Sequence, residues 1–99
     1  MNYIESMDFE WDESKSEDCF QKRGFDFAYA AHVFFDPDRL IQLDERHSYG
    51  EARYQVLGEI EGRLFAVVCT PRHASTRIIS ARKANQREVQ RYENSKSQN

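Results

Sequence analysis

Arg53-Tyr54-Gln55-Val56-Leu57-Gly58-Glu59-Ile60, then Glu61-Gly62, then Leu64-Phe65-Ala66-Val67-Val68-Cys69-Thr70 decide the fold. The first run alternates. Tyr54, Val56 and Gly58 face one way and Arg53, Gln55 and Leu57 the other, which is the two-residue period of a strand. Glu61-Gly62 is a hairpin signal. Leu64 to Thr70 is apolar on both faces, as a central strand covered above and below must be. Two strands joined by so short a turn are antiparallel neighbours, and the remaining elements arrange themselves around them.

Downstream, Pro71 to Ser75 reads as a loop, and Arg77-Ile78-Ile79-Ser80-Ala81-Arg82 as the last strand. Asn85-Gln86-Arg87-Glu88 has the capping-box pattern and opens a short charged helix whose apolar contacts are Val89 and Tyr92. The polar tail from Asn94 to Asn99 reads as flexible. Upstream, Leu40 to Leu43 is a brief strand, followed by the charged stretch Asp44 to Arg53. Met7 to Trp11 alternates apolar and acidic residues and reads as a first strand. Asp12 can cap a helix, and Ser14-Lys15-Ser16-Glu17 has a capping-box pattern; that helix runs to Arg23, where Gly24 supplies a left-handed stop. Asp26 caps a second helix with Phe27, Ala30, Ala31 and Phe34 on one face, and Asp36-Pro37 ends it. The expected fold is α+β. A mostly antiparallel sheet of four to five strands carries two N-terminal helices on one face, and polar strand residues project from the other; a short C-terminal helix closes the chain.

At 99 residues the chain makes one domain spanning 1–99, with 1–6 and 94–99 flexible. No apolar run approaches the ~20 residues of a membrane span. The acidic start, Met1-Asn2-Tyr3-Ile4-Glu5, lacks the pattern of an export signal, so the expected location is cytoplasmic. Cys19 and Cys69 have no metal-ligand spacing and read as reduced, buried or half-buried thiols. Net charge is −3 but unevenly spread. Residues 1–51 hold 13 acidic and 5 basic side chains (−8), whereas residues 52–99 hold 4 and 9 (+5). The basic half can offer an anion-binding face while the acidic half meets a basic partner, or the two can neutralise one another within the fold.

The histidines are scattered and no HxxxH, CxxC, P-loop, GxSxG or GxGxxG motif occurs, so neither a metal nor a cofactor is expected. A constellation of polar residues remains. Breaking an RNA chain without a metal needs a base for the 2′-hydroxyl, an acid for the leaving 5′-oxygen and cations around the charged phosphorane. Arg53, Arg77, Arg82 and Arg72 are candidates for the cations, since a guanidinium fork matches phosphate geometry, with Lys22 at the end of the first helix; Arg72, Lys22 and Lys83 are the candidates for binding substrate. Glu51 is the first candidate base and His47 the second. Tyr54 or Tyr92 could stack on a base or donate a proton. Arg77 and Arg82 lie five positions apart and point to opposite faces of a regular strand, so sharing a site requires a bulge or an early turn. The plainer alternatives are that Glu51 pairs with Arg53 or Arg46, that Arg82 and Lys83 form a solvated face, and that Lys22-Arg23 simply suits a helix C-terminus.

Five segments resemble the BrnT toxin family of type II toxin–antitoxin systems. They are Phe9-Glu10-Trp11-Asp12 with Lys15, Lys22-Arg23-Gly24-Phe25-Asp26-Phe27, Val33-Phe34-Phe35-Asp36, Gly50-Glu51-x-Arg53, and Arg77 to Ala84 with Glu88 and Tyr92. They occur in the family's order over about residues 8–93. The resemblance implies a RelE-like ribonuclease fold and RNA cleavage that arrests growth. It also implies a BrnA-like ribbon-helix-helix antitoxin as partner, with operator DNA bound only through the toxin–antitoxin complex. Arg23 stands where the family commonly has His, Cys19 where it has Asn and Glu13 where it has Pro. The missing imidazole leaves proton transfer to Glu51, His47 or Lys22. Two other readings compete with an endoribonuclease toxin: a non-catalytic antitoxin-binding module acting in operon autoregulation, and a stand-alone RNA-binding protein, for which the chain shows no stacking platform.

Overall fold

The computed structural model describes residues 8–45 and 50–98. The expected flexible residues 1–6, the candidate His47 and Arg46 lie outside them.

Glu61 and Gly62 both take positive φ (51° and 81°), the geometry whose twist matches two antiparallel strands, and they join β3 (Tyr54–Ile60) to β4 (Arg63–Arg72) with Ile60 opposite Arg63. β4 pairs on its other side with β5 (Ser75–Lys83), and β2 (Leu40–Leu43) flanks β3. β1 (Phe9–Trp11) adds to β5 in parallel, so the five strands run β1-β5-β4-β3-β2. β4 is thus the middle strand, as its apolar run requires. The turn between β4 and β5 is shorter than the expected Pro71–Ser75 loop, because Pro71 and Arg72 still pair with Thr76 and Ser75.

Asp12 caps α1 (Glu13–Arg23) through bonds from the Ser14 and Lys15 amides, and Gly24 at φ 85° ends it with its N–H on the Phe20 carbonyl. The Ser14–Glu17 pattern is not a cap: Ser14 lies inside the helix and its hydroxyl bonds Asp12. Asp26 caps α2 (Phe27–Ala30), which tightens into a 3-10 segment, Ala31–Phe35. The Ser16 hydroxyl accepts the Phe27 N–H at 3.0 Å and so ties the two helices together. Phe27, Ala30, Ala31 and Phe34 turn inward as expected, and Val33 joins them. They pack on Val56, Phe65, Val67, Cys69, Ile78 and Ala81 of the sheet. Both cysteines are buried and free.

The opposite face is half covered. α3 (Gln86–Ser97) opens with the expected Asn85/Glu88 capping box and lays Tyr92 over Leu57, Leu64 and Ala66. The helix takes in Asn94–Ser97, which therefore do not belong to a flexible tail, and Val89 is 38% exposed instead of packed. The Tyr92 hydroxyl donates to Asp36, which also accepts the Glu59 and Asp38 amides. That carboxylate joins the 3-10 segment, β3 and α3. Burial raises its pKa, but the Tyr92 hydroxyl and the two amides outweigh burial and hold it below the usual range. Tyr92 is raised, first by burial and then by Asp36, so it serves as a structural pin and not as a proton donor.

Candidate functional site

β5 carries one more residue than β4 needs. Ser80 pairs with Val68 and Ile78 with Cys69, leaving Ile79 as a bulge. Without it Arg77 and Arg82 would face opposite ways. With it Arg77 sits opposite Thr70 and Arg82 opposite Ala66, and Thr70 and Ala66, four apart on β4, share a face. The bulge answers the parity problem posed by the sequence, since both arginines belong to the face away from α1 and α2.

That face can be read row by row. The β3–β4 register, carried one residue past Tyr54–Cys69, sets Arg53 beside Thr70, and the Thr70 hydroxyl donates to the Ala52 carbonyl at 2.6 Å. The Asp44 amide donates to the Arg53 carbonyl at 2.8 Å, which extends the β2–β3 ladder. One row therefore runs Asp44, Arg53, Thr70, Arg77, Glu10, with the exposed Glu10 of β1 beside Arg77. Arg53 and Arg77 are two strands apart, a backbone separation of about 10 Å, within joint reach of one phosphate. The next row is Gln42, Gln55, Val68, Ser80, and the last is Leu40, Leu57, Ala66, Arg82. α3 covers this last row and, through Glu88 and Arg91, Gln55 of the row before it; the Arg53–Arg77 row lies beyond its edge.

Glu51 stands in the lead to β3, after Gly50 at φ 82°. Its carboxylate lies 3.4 Å from Arg72 and 4.0 Å from Arg53, and its side chain is 33% exposed. The pairing foreseen between Glu51 and Arg53 thus exists, but Arg72, from another strand, is closer. Arg77 makes no ion pair among the described residues. Arg82 is engaged by Glu88 in a two-pronged bridge, both bonds 2.8 Å. Glu88 also accepts from Gln55 and from the Asn85 amide, and Gln55 in turn accepts from Arg91 at 3.1 Å. The Arg82 bonds outweigh burial and hold the Glu88 carboxyl at about 2.

Other expected site residues are elsewhere. Lys22 is on α1, paired with Asp18 at 3.0 Å, across the sheet from the arginine rows. Tyr54 faces the helices and packs on the main core, because its partner Cys69 does. Lys83 pairs with Phe65 and so turns to the helix side, where it borders a groove with Arg23 and Phe25 at whose rim Arg82 stands. Cys69, inside the core, is pushed by burial to about 11 and is no nucleophile. Gln55, Thr70 and Arg91 have no local signal of a role in the site, because their partners are 18 to 36 positions away. Glu88 read as half of a capping box and as part of the BrnT-like closing segment, with no sign of its bridge to Arg82.

One family's sequence model, described as the ribonuclease toxin BrnT of type II toxin–antitoxin systems, matches residues 11–88. The chain belongs to the BrnT family. Comparison with curated proteins gives no match. Two of the BrnT-like segments, Gly50-Glu51-x-Arg53 and Arg77 to Ala84, supply the charged rows. A third, Val33 to Asp36, and the Glu88 and Tyr92 that close the last segment supply the pins that hold α3 to the sheet. Among the described residues no helix is long and apolar enough to cross a membrane, and no three His, Cys, Asp or Glu side chains gather as metal ligands would.

Proposed function

We propose that this BrnT protein is a metal-independent endoribonuclease that cleaves RNA on the arginine-bearing face of its sheet, and that an antitoxin neutralises it. The observation that carries this reading is the Ile79 bulge, which gives Arg77 the same face as Arg53, Arg72 and Glu51. An entering phosphate competes with Glu51 for Arg72 and Arg53, since both anions want the same guanidinium forks. Once released, Glu51 takes the 2′-hydroxyl proton. The 2′-oxygen bonds to phosphorus, the bond to the 5′-oxygen breaks, and that oxygen takes a proton from water at the open face. Arg53, Arg72 and Arg77 stabilise the charge on the phosphorane between these steps. The products are a 2′,3′-cyclic phosphate and a 5′-hydroxyl.

Arg82 supports the site from one side, with its fork committed to Glu88. The exposed Glu13, Glu17 and Asp18 of α1 suit a basic antitoxin, for which a BrnA-like ribbon-helix-helix protein is the proposed form, operator DNA being bound only by the complex. The test is cleavage of a single-stranded RNA in EDTA. Wild type is expected to cut, Arg77→Ala to lose at least about 100-fold in rate, and Glu51→Gln a similar amount. An intact substrate together with tight antitoxin binding would leave the binding module as the better account.

A further inference from the structure

Beside Glu51 and Arg53 the surface continues into a second, more polar cleft. The first, of about 440 Å³, is lined by Leu43, Asp44, Glu45, Glu51 and Arg53; the second, of about 300 Å³, by Gln42, Asp44, Glu45, Gln55, Glu88 and Arg91. They share Leu43, Asp44 and Glu45, so whatever sits in one touches the edge of the other. Resting on the nuclease reading above, we propose that the second cleft is a nucleobase subsite selective for guanine, adjoining the scissile phosphate. The volume admits a purine, and the walls are chemically unlike. α3 contributes Arg91, whose one hydrogen bond among the described residues is a single N–H on Gln55, which leaves other donors for a ligand. The stretch just after β2 contributes the carboxylate of Glu45, with Asp44 beside it in the wall. Guanine is the base that offers two neighbouring acceptors, O6 and N7, on one edge and two neighbouring donors, N1–H and N2–H, on another. A guanidinium fork matches the first pair and a carboxylate the second. Cytosine offers neighbouring acceptors, N3 and O2, but a single donor group, N4–H2, and adenine and uracil alternate donor and acceptor, so none of the three meets both walls with paired contacts.

Gln55 positions Arg91. Its amide is fixed between two charged neighbours, accepting from Arg91 and donating to Glu88, which is itself fixed by Arg82. The same buried network that immobilises Arg82 therefore aims the base-reading residue. The decisive experiment is to map cut sites on a mixed-sequence RNA with wild type, Arg91→Ala and Arg91→Lys. Wild type is expected to cut fastest where guanine stands at one fixed position beside the cut, and other sites more slowly. Both variants should cut guanine sites about tenfold or more slowly while retaining cleavage of other sites, because lysine cannot supply a fork. Cleavage whose flanking-base profile is the same in all three proteins overturns the subsite and leaves the nuclease reading standing. A wild-type preference for a different base overturns the guanine assignment. Failure of wild type to cleave any RNA overturns the nuclease reading itself.

Discussion

Glu88 shows how one residue can serve fold and site together. It closes the capping box of α3, meets Arg82 with both oxygens and orients Gln55, while only 5% exposed. Its folded-state pKa, about 2, lies below the unfolded value near 4.3, so its contribution to stability is full above that higher value. It is lost progressively as pH falls from about 4.3 toward 2. Glu88→Gln is therefore expected to lower stability at pH 7 by roughly 2–3 kcal/mol, a figure kept below the full linkage value because Arg82 is 38% exposed. Urea unfolding at pH 7, 4 and 2.5 checks the sign: the gap between wild type and variant should narrow at each step. A gap of constant size would trace the loss to packing and not to the charge.

At the scale of elements, the tightest constraint is where the 3-10 segment crosses β3. A Cβ on Gly58 would lie 2.7 Å from the Val33 carbonyl oxygen and 2.8 Å from Val33 Cβ. Neither atom belongs to a flexible side-chain end, so backbone must move. Gly58→Ala is expected to cost about 2–3 kcal/mol, measured as a lowered urea midpoint with unchanged slope. Retention of wild-type stability would mean that the segment can slide on the sheet. What was legible in the sequence follows the same division between local and distant causes. The caps at Asp12, Asp26 and Asn85, the Gly24 stop and the Glu61-Gly62 turn act over a few positions, and each was readable. The role of α3 in covering half of the second face was not, since Tyr92 finds Asp36 only after the sheet has formed. The Ile79 bulge was visible as a need, because Arg77 and Arg82 had the wrong spacing to share a face. Its position was invisible, since only the pairing with β4 selects which residue is extra. The site was legible in part for the same reason. Glu51 and Arg53 are sequence neighbours, whereas Arg72 joins them through the β3–β4 hairpin, and Tyr54 and Lys83 were turned away by strand parity.

Over the whole molecule, a chain of net charge −3 is asked to hold a polyanion, and geometry resolves the conflict. The acidic excess of the N-terminal half includes the exposed side chains of α1, whereas the arginine rows lie on the far side of the sheet. Glu10, Asp44, Glu45 and Glu51 of that half do border the arginine rows, but a packed sheet stands between those rows and the α1 carboxylates, which therefore affect RNA there little. Binding should then be governed by the local count of cations. Each phosphate contact on a single strand contributes a slope of about −0.7 to log affinity against log salt. Three contacts, from Arg53, Arg72 and Arg77, predict a slope near −2. Arg72→Ala should flatten it by about 0.7 and weaken binding at low salt. Lys22→Ala should leave the slope unaltered, because that ammonium is paired with Asp18 across the sheet. Titrations of a short uncleavable deoxyribose-containing oligomer at several salt concentrations measure both slopes. If Lys22→Ala flattens the line and Arg72→Ala does not, RNA lies along α1, and the arginine rows serve only to hold the sheet to its last helix.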